Sequence, residues 1–314
     1  MRRGRTCGID STRVVASPTF LVPTPLCRLR GRAPDGSTLV TSPPIEYAFA
    51  ATYGRSGLRR LCRALAACEG VIATPQAEPA MHGRTMRWAM TGQFSPEFLA
   101  ARYVAAMRES RTATGAAIRA DLSPVFAKWY GGHVLSQLGE ERCLVIRIWR
   151  DPVTVIASIA GLGLVPGTPL GTLWLGDPRW ERCRLRLEPA DRLEAVAWHV
   201  VETIIRSEEI ERSFPRARVA RLDFDVLCDA DLLAAWLRHV GFRPGDGYEQ
   251  ALSPAHDLAR HEPSGLRSID RGGVRSAWRR IVDLAAGQGL LSSSLAESLL
   301  RDPAEFDRGR RLGA

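Results

Sequence analysis

The sequence predicts an α/β protein with three layers: a mostly parallel central sheet and helices on both of its faces. Short apolar runs typical of strands alternate along the chain with longer segments that have apolar residues at helical spacing. The first strand and the first helix are joined directly by a short glycine turn, Gly54–Gly57. Strands that are separated by helices pair in parallel, because each helical crossover returns the chain to the same end of the sheet.

The first part of the domain contains two predicted strands and two predicted helices. An apolar run at residues 45–53 predicts the first strand, and helical spacing over residues 58–69 ends before Gly70. Residues 71–74 form a short second strand. A helix over residues 95–111 begins with a serine cap, a proline and an early acidic residue.

The middle of the chain continues the alternation. Residues 125–129 are the predicted third strand, and a helix follows over residues 133–138. The apolar run at residues 142–149 is typical of a buried strand, and a proline opens the next helix, over residues 152–159. Residues 161–188 hold five glycines and three prolines, which predicts a long loop, and loops of that length are usually functional.

The last part is helical apart from one strand. We expect a long helix over residues 188–214, the fifth strand over 218–223, a helix over 229–240 and a terminal helical piece from residue 274. Residues 82–95 carry no clear pattern and are assigned to a loop.

Two units follow from the composition along the chain. Residues 1–43 are rich in Pro, Arg, Ser and Thr, and we expect an N-terminal extension that is loosely packed or partly disordered. Residues 44–314 form the single α/β domain.

The turn Gly54-Arg55-Ser56-Gly57 predicts an anion site. A strand, a glycine turn and a helix direct backbone N–H groups and the positive helix end at one place, and Arg55 adds a forked cation. The alternative is an ordinary turn with a glycine at each bend. A nucleotide-binding P-loop has a lysine and then Ser or Thr after its second glycine, whereas Leu58 and Arg59 follow here. We therefore expect an anion that is bound without magnesium. The order of strand, glycine turn and helix is still that of a P-loop-type fold.

A second candidate site joins Arg150 and Ser158. Arg150 stands where the fourth strand ends, which is the sheet edge where ligands bind in such folds, and Ser158 lies two helical turns later. Both side chains could reach one phosphate group. The alternative is a helix-start pair of Arg150 with Asp151 and a solvated serine.

Composition excludes several classes of function. Apolar and charged residues make up 45% and 25% of the chain, as in ordinary globular proteins. The net charge is +9, but the arginines are scattered without aromatic residues between them, so small anionic ligands fit better than nucleic acid. No apolar run approaches the roughly 18 residues of a membrane span, and the N-terminus makes a poor signal peptide, so we expect a cytoplasmic protein.

The seven cysteines show no CxxC spacing and no metal-binding pattern. We expect reduced thiols and no metal site.

Three segments resemble the sulfotransferases that use 3′-phosphoadenosine 5′-phosphosulfate (PAPS). Their first motif, T-Y-P-K-S-G-T-T or (P/Q)-R-S-G-[ST]-T, is similar to Thr52–Gly57. Their second motif is an arginine with a serine eight residues later, and it is similar to Arg150 and Ser158. Their C-terminal R-K-G-x-x-G-[DN]-W-[KR] motif is partly matched, at Arg271, Gly273, Trp278 and Arg279. The resemblance covers about residues 45–280.

The resemblance implies a metal-independent transfer of a sulfuryl group from PAPS, with 3′,5′-adenosine bisphosphate (PAP) as product. Gly54, Arg55, Ser56 and Gly57 would hold the 5′-phosphosulfate, and Arg55 would stabilise the leaving oxygen. Arg150 and Ser158 would hold the 3′-phosphate, with additional contacts from Arg271 and Gly273. The implied partner is a small-molecule or carbohydrate acceptor. The resemblance leaves open whether the protein is a homodimer or a monomer.

The bacterial trehalose 2-sulfotransferase-like branch is similar at two further places. Its G-V-x-G-x-P-Q-E motif resembles residues 70–78, which makes Glu78 a candidate general base, with His82, His133 and His199 as alternatives. Its V-[FW]-x-x-K-x-x-W strand resembles Val125–Trp129. Lys128 is the one lysine of the chain, and it could place a compact ammonium near the transferred group.

One departure from the family leaves alternatives open. Leu58 and Arg59 stand where the family has Ser or Thr on the 5′-phosphate, so either Arg59 substitutes or cofactor binding is weaker. The competing functions are a degenerate member of the fold that acts only as a binding protein, and a P-loop kinase-like nucleotide enzyme.

Overall fold

The computed structural model describes residues 43–253 and 269–301. The predicted N-terminal extension, apart from Pro43, lies outside the described residues.

The centre of the protein is a five-stranded sheet in which every pair of neighbouring strands is parallel. The strands are β1 (Tyr47–Ala51), β2 (Val71–Thr74), β3 (Ile118–Asp121), β4 (Cys143–Trp149) and β5 (Arg218–Asp223). Their order across the sheet is β2-β3-β1-β4-β5. This arrangement confirms the predicted α/β class with a parallel sheet.

Helices fill the connections between the strands. They are α1 (Leu58–Ala66), α2 (Arg84–Met90), α3 (Pro96–Thr114), α4 (Gly131–Leu138), α5 (Pro152–Gly161), α6 (Pro169–Trp174), α7 (Arg192–Ser213), α8 (Phe224–Cys228), α9 (Ala230–His239), α10 (Tyr248–Ala251), α11 (Arg271–Gly287) and α12 (Ser293–Leu300). A short π-helix, Phe126–Tyr130, leads into α4, and a 3₁₀ turn, Glu140–Arg142, leads into β4.

Both faces of the sheet are covered, which gives the three predicted layers. Successive side chains of β1 alternate between the faces: Phe49 belongs to one buried apolar cluster, whereas Ala48 and Ala50 belong to the other. The first cluster takes its other residues mainly from α3, α4, α5, α7 and α11. The second takes them mainly from α1 and α9. Burial on both faces explains why β1, at the centre of the sheet, is apolar throughout.

The predicted third strand at residues 125–129 is wrong. This segment is the π-helix, and the third strand is Ile118–Asp121. A short buried apolar run does not distinguish a strand from a helical segment, and here the ring of Phe126 stacks on Phe49, with 4.5 Å between the ring centroids. The true strand ends in Asp121, whose buried carboxylate accepts hydrogen bonds from the Tyr103 hydroxyl and, at 3.0 Å, from the Ala77 N–H.

Two predicted loops contain helices. The segment 82–95 includes α2, and the segment 161–188 includes α6. The long helix begins at Arg192, four residues later than predicted, because Asp191 caps it by accepting hydrogen bonds from the N–H groups of the first turn. The helices α8, α10 and α12 were not predicted.

The order of the strands locates the ligand-binding edge of the sheet. After β1 the chain turns toward β2 and β3, whereas after β4 it turns toward β5, so β1 and β4 flank the point where the strand order reverses. Ligands of parallel α/β sheets bind in the crevice at that point, beyond the carboxyl ends of the strands. β2 does not lie beside β1, because β3 lies between them and pairs with both.

Across the two described segments, no helix has both the length and the apolar content that a membrane span requires.

Candidate anion-binding site

The loop after β1, residues 52–57, is called the anion loop below. Its backbone has positive φ at Gly54 (89°), Arg55 (51°) and Gly57 (82°). The Thr52 hydroxyl accepts a hydrogen bond from the Gly54 N–H (3.2 Å) and bonds the Ser56 hydroxyl. Ser56 is fully buried, and its side chain holds the loop together.

Gly57 joins the anion loop to α1 and has to be a glycine for two reasons. Its φ lies in the left-handed region, and a Cβ at this position would come within 2.5 Å of the Leu227 side chain. α1 then starts at Leu58 with no side-chain cap and no acidic residue in its first turn. An anion is favoured at such a helix end by the exposed N–H groups and the helix dipole. Leu58 packs against the second apolar cluster, and Arg59 is exposed.

Arg150 comes directly after β4 and is fixed at the same edge of the sheet. The Tyr53 hydroxyl accepts a hydrogen bond from the Arg150 N–H (3.0 Å) and donates one to the Arg150 carbonyl. The Arg150 guanidinium lies 4.1 Å from the centre of the Phe224 ring and donates to the Arg55 carbonyl. Sequence reasoning missed the role of Tyr53, although this tyrosine belongs to the matched motif.

Arg55, Arg150 and Ser158 come together at this edge. The Arg55 Nε donates to the Ser158 hydroxyl at 3.1 Å, which joins the anion loop to α5. Burial, and next the nearby Arg55 charge, lower the pKa of Arg150. Asp151 does not form the helix-start pair considered above, because its carboxylate caps α5 by accepting from the Val153 and Thr154 N–H groups.

Two arginines therefore lie side by side without a carboxylate partner among the described residues. Neither Arg55 nor Arg150 forms an ion pair within the described ranges. Two positive charges that lie close together repel each other unless an anion lies between them. The arrangement suits a ligand with more than one negative charge.

A cavity of about 540 Å³ adjoins Arg150, between the ends of β4 and β5 and the helices α11 and α12. Five arginines line it together with three aspartates and three aromatic side chains: Arg150, Arg221, Arg275, Arg279, Arg301, Asp151, Asp223, Asp225, Trp149, Phe224 and Trp278. Its size is within the range of small-molecule sites. Arginines bind phosphate groups and aromatic rings stack on a nucleobase, so the cavity is suitable for a nucleotide.

Arg271 and Gly273 lie in the first turn of α11 and do not line this cavity. The Gly273 N–H donates to the Asp270 carboxylate at 2.9 Å, so an intramolecular cap already uses it. α11 contributes Arg275 and Arg279 instead, one and two turns further along the same face. Arg279 belongs to the partly matched C-terminal motif, and the spacing of four residues from Arg271 to Arg275 to Arg279 was the signal in the sequence that could have identified Arg275.

Lys128 lies in the π-helix and not on a strand. Its side chain is buried, and its Nζ donates to the Trp174 carbonyl at 2.5 Å. No carboxylate among the described residues pairs with it. Burial lowers the pKa of Lys128 from 10.5 to about 7. The unfolded chain therefore binds more protons than the folded chain between about pH 7 and pH 10.5, and this group makes the protein more stable as pH rises through that window.

Replacing Lys128 by methionine is expected to stabilise the protein at pH 6, by about 1–3 kcal/mol, because the variant no longer buries an ammonium group. The gain should shrink toward pH 10, where the wild-type amine is already neutral. Urea unfolding at several pH values measures both effects, with Lys128→Arg as the control that stays charged throughout. A methionine variant that is less stable at pH 6 would contradict the prediction.

The candidate bases lie in different surroundings. Glu78 is exposed, and its carboxylate accepts from the Ala80 N–H at 2.9 Å. His82 stacks on Trp174, with 4.3 Å between the ring centroids; burial lowers its pKa, and Glu78 opposes that shift. His133 lies on α4, 3.4 Å from Glu97. His199 is buried within α7.

Comparisons with known proteins find similarity to solved structures but not to a family model or a curated sequence. No protein-family model matches the chain, and no curated protein matches it in sequence. A solved sulfotransferase domain from the curacin biosynthetic pathway is similar to this chain at 11% identity, with a TM-score of 0.41, over 78% of this chain and 99% of that one. A sulfotransferase domain from the Synechococcus PCC 7002 olefin synthase is similar at 14% identity, with a TM-score of 0.38, over 79% of this chain and 95% of that one.

Proposed function

We propose that this protein is a PAPS-dependent sulfotransferase that transfers a sulfuryl group to a hydroxyl of a small molecule or carbohydrate. The observation that carries the proposal is the convergence of Arg55, Arg150 and Ser158 beside the uncapped start of α1, at the point where the strand order reverses. The resemblance of Thr52–Gly57 and of the Arg150–Ser158 spacing to sulfotransferase motifs supports it independently.

Each group has a distinct role in the proposed reaction. The anion loop and the start of α1 bind the 5′-phosphosulfate through backbone N–H groups. Arg150 and Ser158 bind the 3′-phosphate, and Arg275 and Arg279 on the cavity wall add positive charge beside it. Arg271 and Gly273 are secondary in this assignment, because the Gly273 N–H already serves Asp270.

The transfer itself needs positioning and charge stabilisation more than covalent chemistry from the protein. The acceptor oxygen bonds to sulfur while the bond from sulfur to the 5′-phosphate oxygen breaks. Arg55 stabilises the negative charge that develops on that leaving oxygen. The acceptor hydroxyl gives its proton to a base, which we assign to Glu78, with His82 as the alternative because the two groups interact.

The assignment of the base predicts the behaviour of Glu78→Gln. This change keeps the shape of the side chain and removes its basicity, so turnover should fall about tenfold or more while PAP affinity is unchanged. Steady-state rates and PAP titrations measure the two quantities. His82→Asn is the matched comparison, and a fall in turnover confined to that variant would transfer the role of base to His82.

The similarity of residues 70–78 to the trehalose 2-sulfotransferase-like branch suggests the acceptor class, whereas residues 125–129 give no support because they form a π-helix and not a strand. We propose a carbohydrate hydroxyl as the first acceptor to test, bound on the side of α2 and α6. Incubation with PAPS and a panel of sugars, read by mass, identifies the product.

Melting experiments separate the competing functions. PAP at about 100 times its dissociation constant should add about 2.7 kcal/mol to the free energy of unfolding. ATP with Mg²⁺ should raise the melting temperature much less. A larger shift with ATP and Mg²⁺ would favour the kinase-like alternative, and PAP binding without turnover on any acceptor would favour a binding protein.

A further inference from the structure

His199 lies between the anion loop and α6, and its ring contacts a backbone carbonyl on each side. Its Nε2 is 2.9 Å from the Tyr53 carbonyl oxygen, at the entrance of the anion loop. Its Nδ1 is 3.2 Å from the Leu175 carbonyl oxygen, at the end of α6. The side chain is 1% exposed, so water cannot readily replace either contact.

The two contacts cannot both be hydrogen bonds when the ring is neutral. Carbonyl oxygens only accept hydrogen bonds, and a neutral imidazole carries one N–H. A doubly protonated ring would satisfy both carbonyls, but burial and the charge of Lys128 lower the pKa of His199 well below its ordinary value. At neutral pH the proton is therefore on one ring nitrogen or on the other.

Lys128 holds the same end of α6. It donates to the Trp174 carbonyl, which precedes the Leu175 carbonyl that His199 contacts. The last carbonyls of a helix have no partner within the helix, so donors from elsewhere determine how firmly this end is held. Trp174 in turn stacks on His82, which places this end of α6 next to a candidate base.

We propose that His199 is a positioning residue that joins the anion loop to the acceptor side of the protein. The Nε2–H form holds the Tyr53 carbonyl and with it the anion loop, whereas the Nδ1–H form holds the end of α6 beside His82. This inference rests on the proposed function only in naming the two sides as donor and acceptor sites. The consequence is that the two connections alternate, so that tightening one side loosens the other.

Two conservative variants separate the two connections. A glutamine places its amide N–H about where Nε2 lies, and an asparagine places it about where Nδ1 lies. His199→Gln should therefore keep the connection to Tyr53 and lose the one to Leu175, and His199→Asn should do the reverse. Amide hydrogen exchange of the ligand-free protein reports both segments, through the Gly54 N–H in the anion loop and the Leu175 N–H at the end of α6.

We expect exchange at Leu175 to become about tenfold faster in His199→Gln, with Gly54 close to wild type, and the opposite pattern in His199→Asn. The same pattern in both variants, or no change in either segment, would overturn the proposal. If PAPS turnover is established, the glutamine variant should also raise the KM for the acceptor while PAP affinity is kept, which a general loss of stability would not produce.

A measurement on the unaltered protein decides the question if the variants fail to fold. Labelling of the histidines with ¹⁵N shows at neutral pH whether each ring nitrogen carries a proton, and a buried ring that exchanges slowly identifies His199. The proposal is supported if the ring is neutral and each nitrogen carries the proton part of the time, as an average of the Nε2–H and Nδ1–H forms. Two protonated nitrogens, or a proton fixed on one of them, would overturn it. Neither measurement requires PAP or turnover, so a failure of the proposed function is detected separately.

Discussion

Arg55→Ala is expected to lower turnover by about 10²–10³-fold, the usual cost of removing one donor that stabilises charge in the transition state. The side chain is exposed at the crevice and bonds Ser158, and no carboxylate among the described residues neutralises it. Its charge is therefore available to the leaving oxygen. PAP affinity should fall by less than about tenfold, since the backbone of the anion loop still binds the phosphate.

Arg102→Ala is the matched control for this prediction. Arg102 is an exposed arginine on α3, so the substitution removes the same charge at another place on the surface. Its turnover should stay near wild type. A similar loss in both variants would mean that net charge, and not the position of Arg55, determines the rate.

Arg150→Ala is expected to weaken PAP binding by about 100-fold, which is near the upper range for the loss of a hydrogen bond to a charged group. The turnover of the enzyme saturated with PAPS should change much less. The guanidinium is partly buried against Phe224, where water screens its charge only weakly. Titration calorimetry of PAP measures the loss. Arg150→Lys keeps the charge without the forked donors and should lie between wild type and alanine. Equal affinities of the lysine and alanine variants would contradict a role for the charge itself.

Local sequence patterns predicted the site residues that the structure brings together at one edge of the sheet. The glycines of the anion loop, Arg150 at the end of a strand and Ser158 two turns later are all defined by spacing within short segments. The carboxyl ends of parallel strands meet at the same edge, so a correct fold class was enough to bring Arg55 and Arg150 together.

What sequence reasoning missed depends on contacts between distant segments. The Tyr53 hydroxyl reaches the backbone of Arg150, and the His199 ring reaches Tyr53, across 97 and 146 residues of sequence. The third strand was misplaced for a similar reason: Asp121 is an unfavourable strand residue whose burial is made acceptable by the hydroxyl of Tyr103. No window of neighbouring residues contains that information.

The most direct test of the account compares two ligands on two proteins by titration calorimetry. PAP and adenosine 5′-phosphate differ only in the 3′-phosphate, which we assign to Arg150. Wild type should prefer PAP by about 100-fold, and Arg150→Ala should lose most of that preference, whereas Arg55→Ala should keep it. A preference for PAP that survives in Arg150→Ala, or a wild-type protein that binds both ligands equally, would contradict the assignment of this crevice to PAPS.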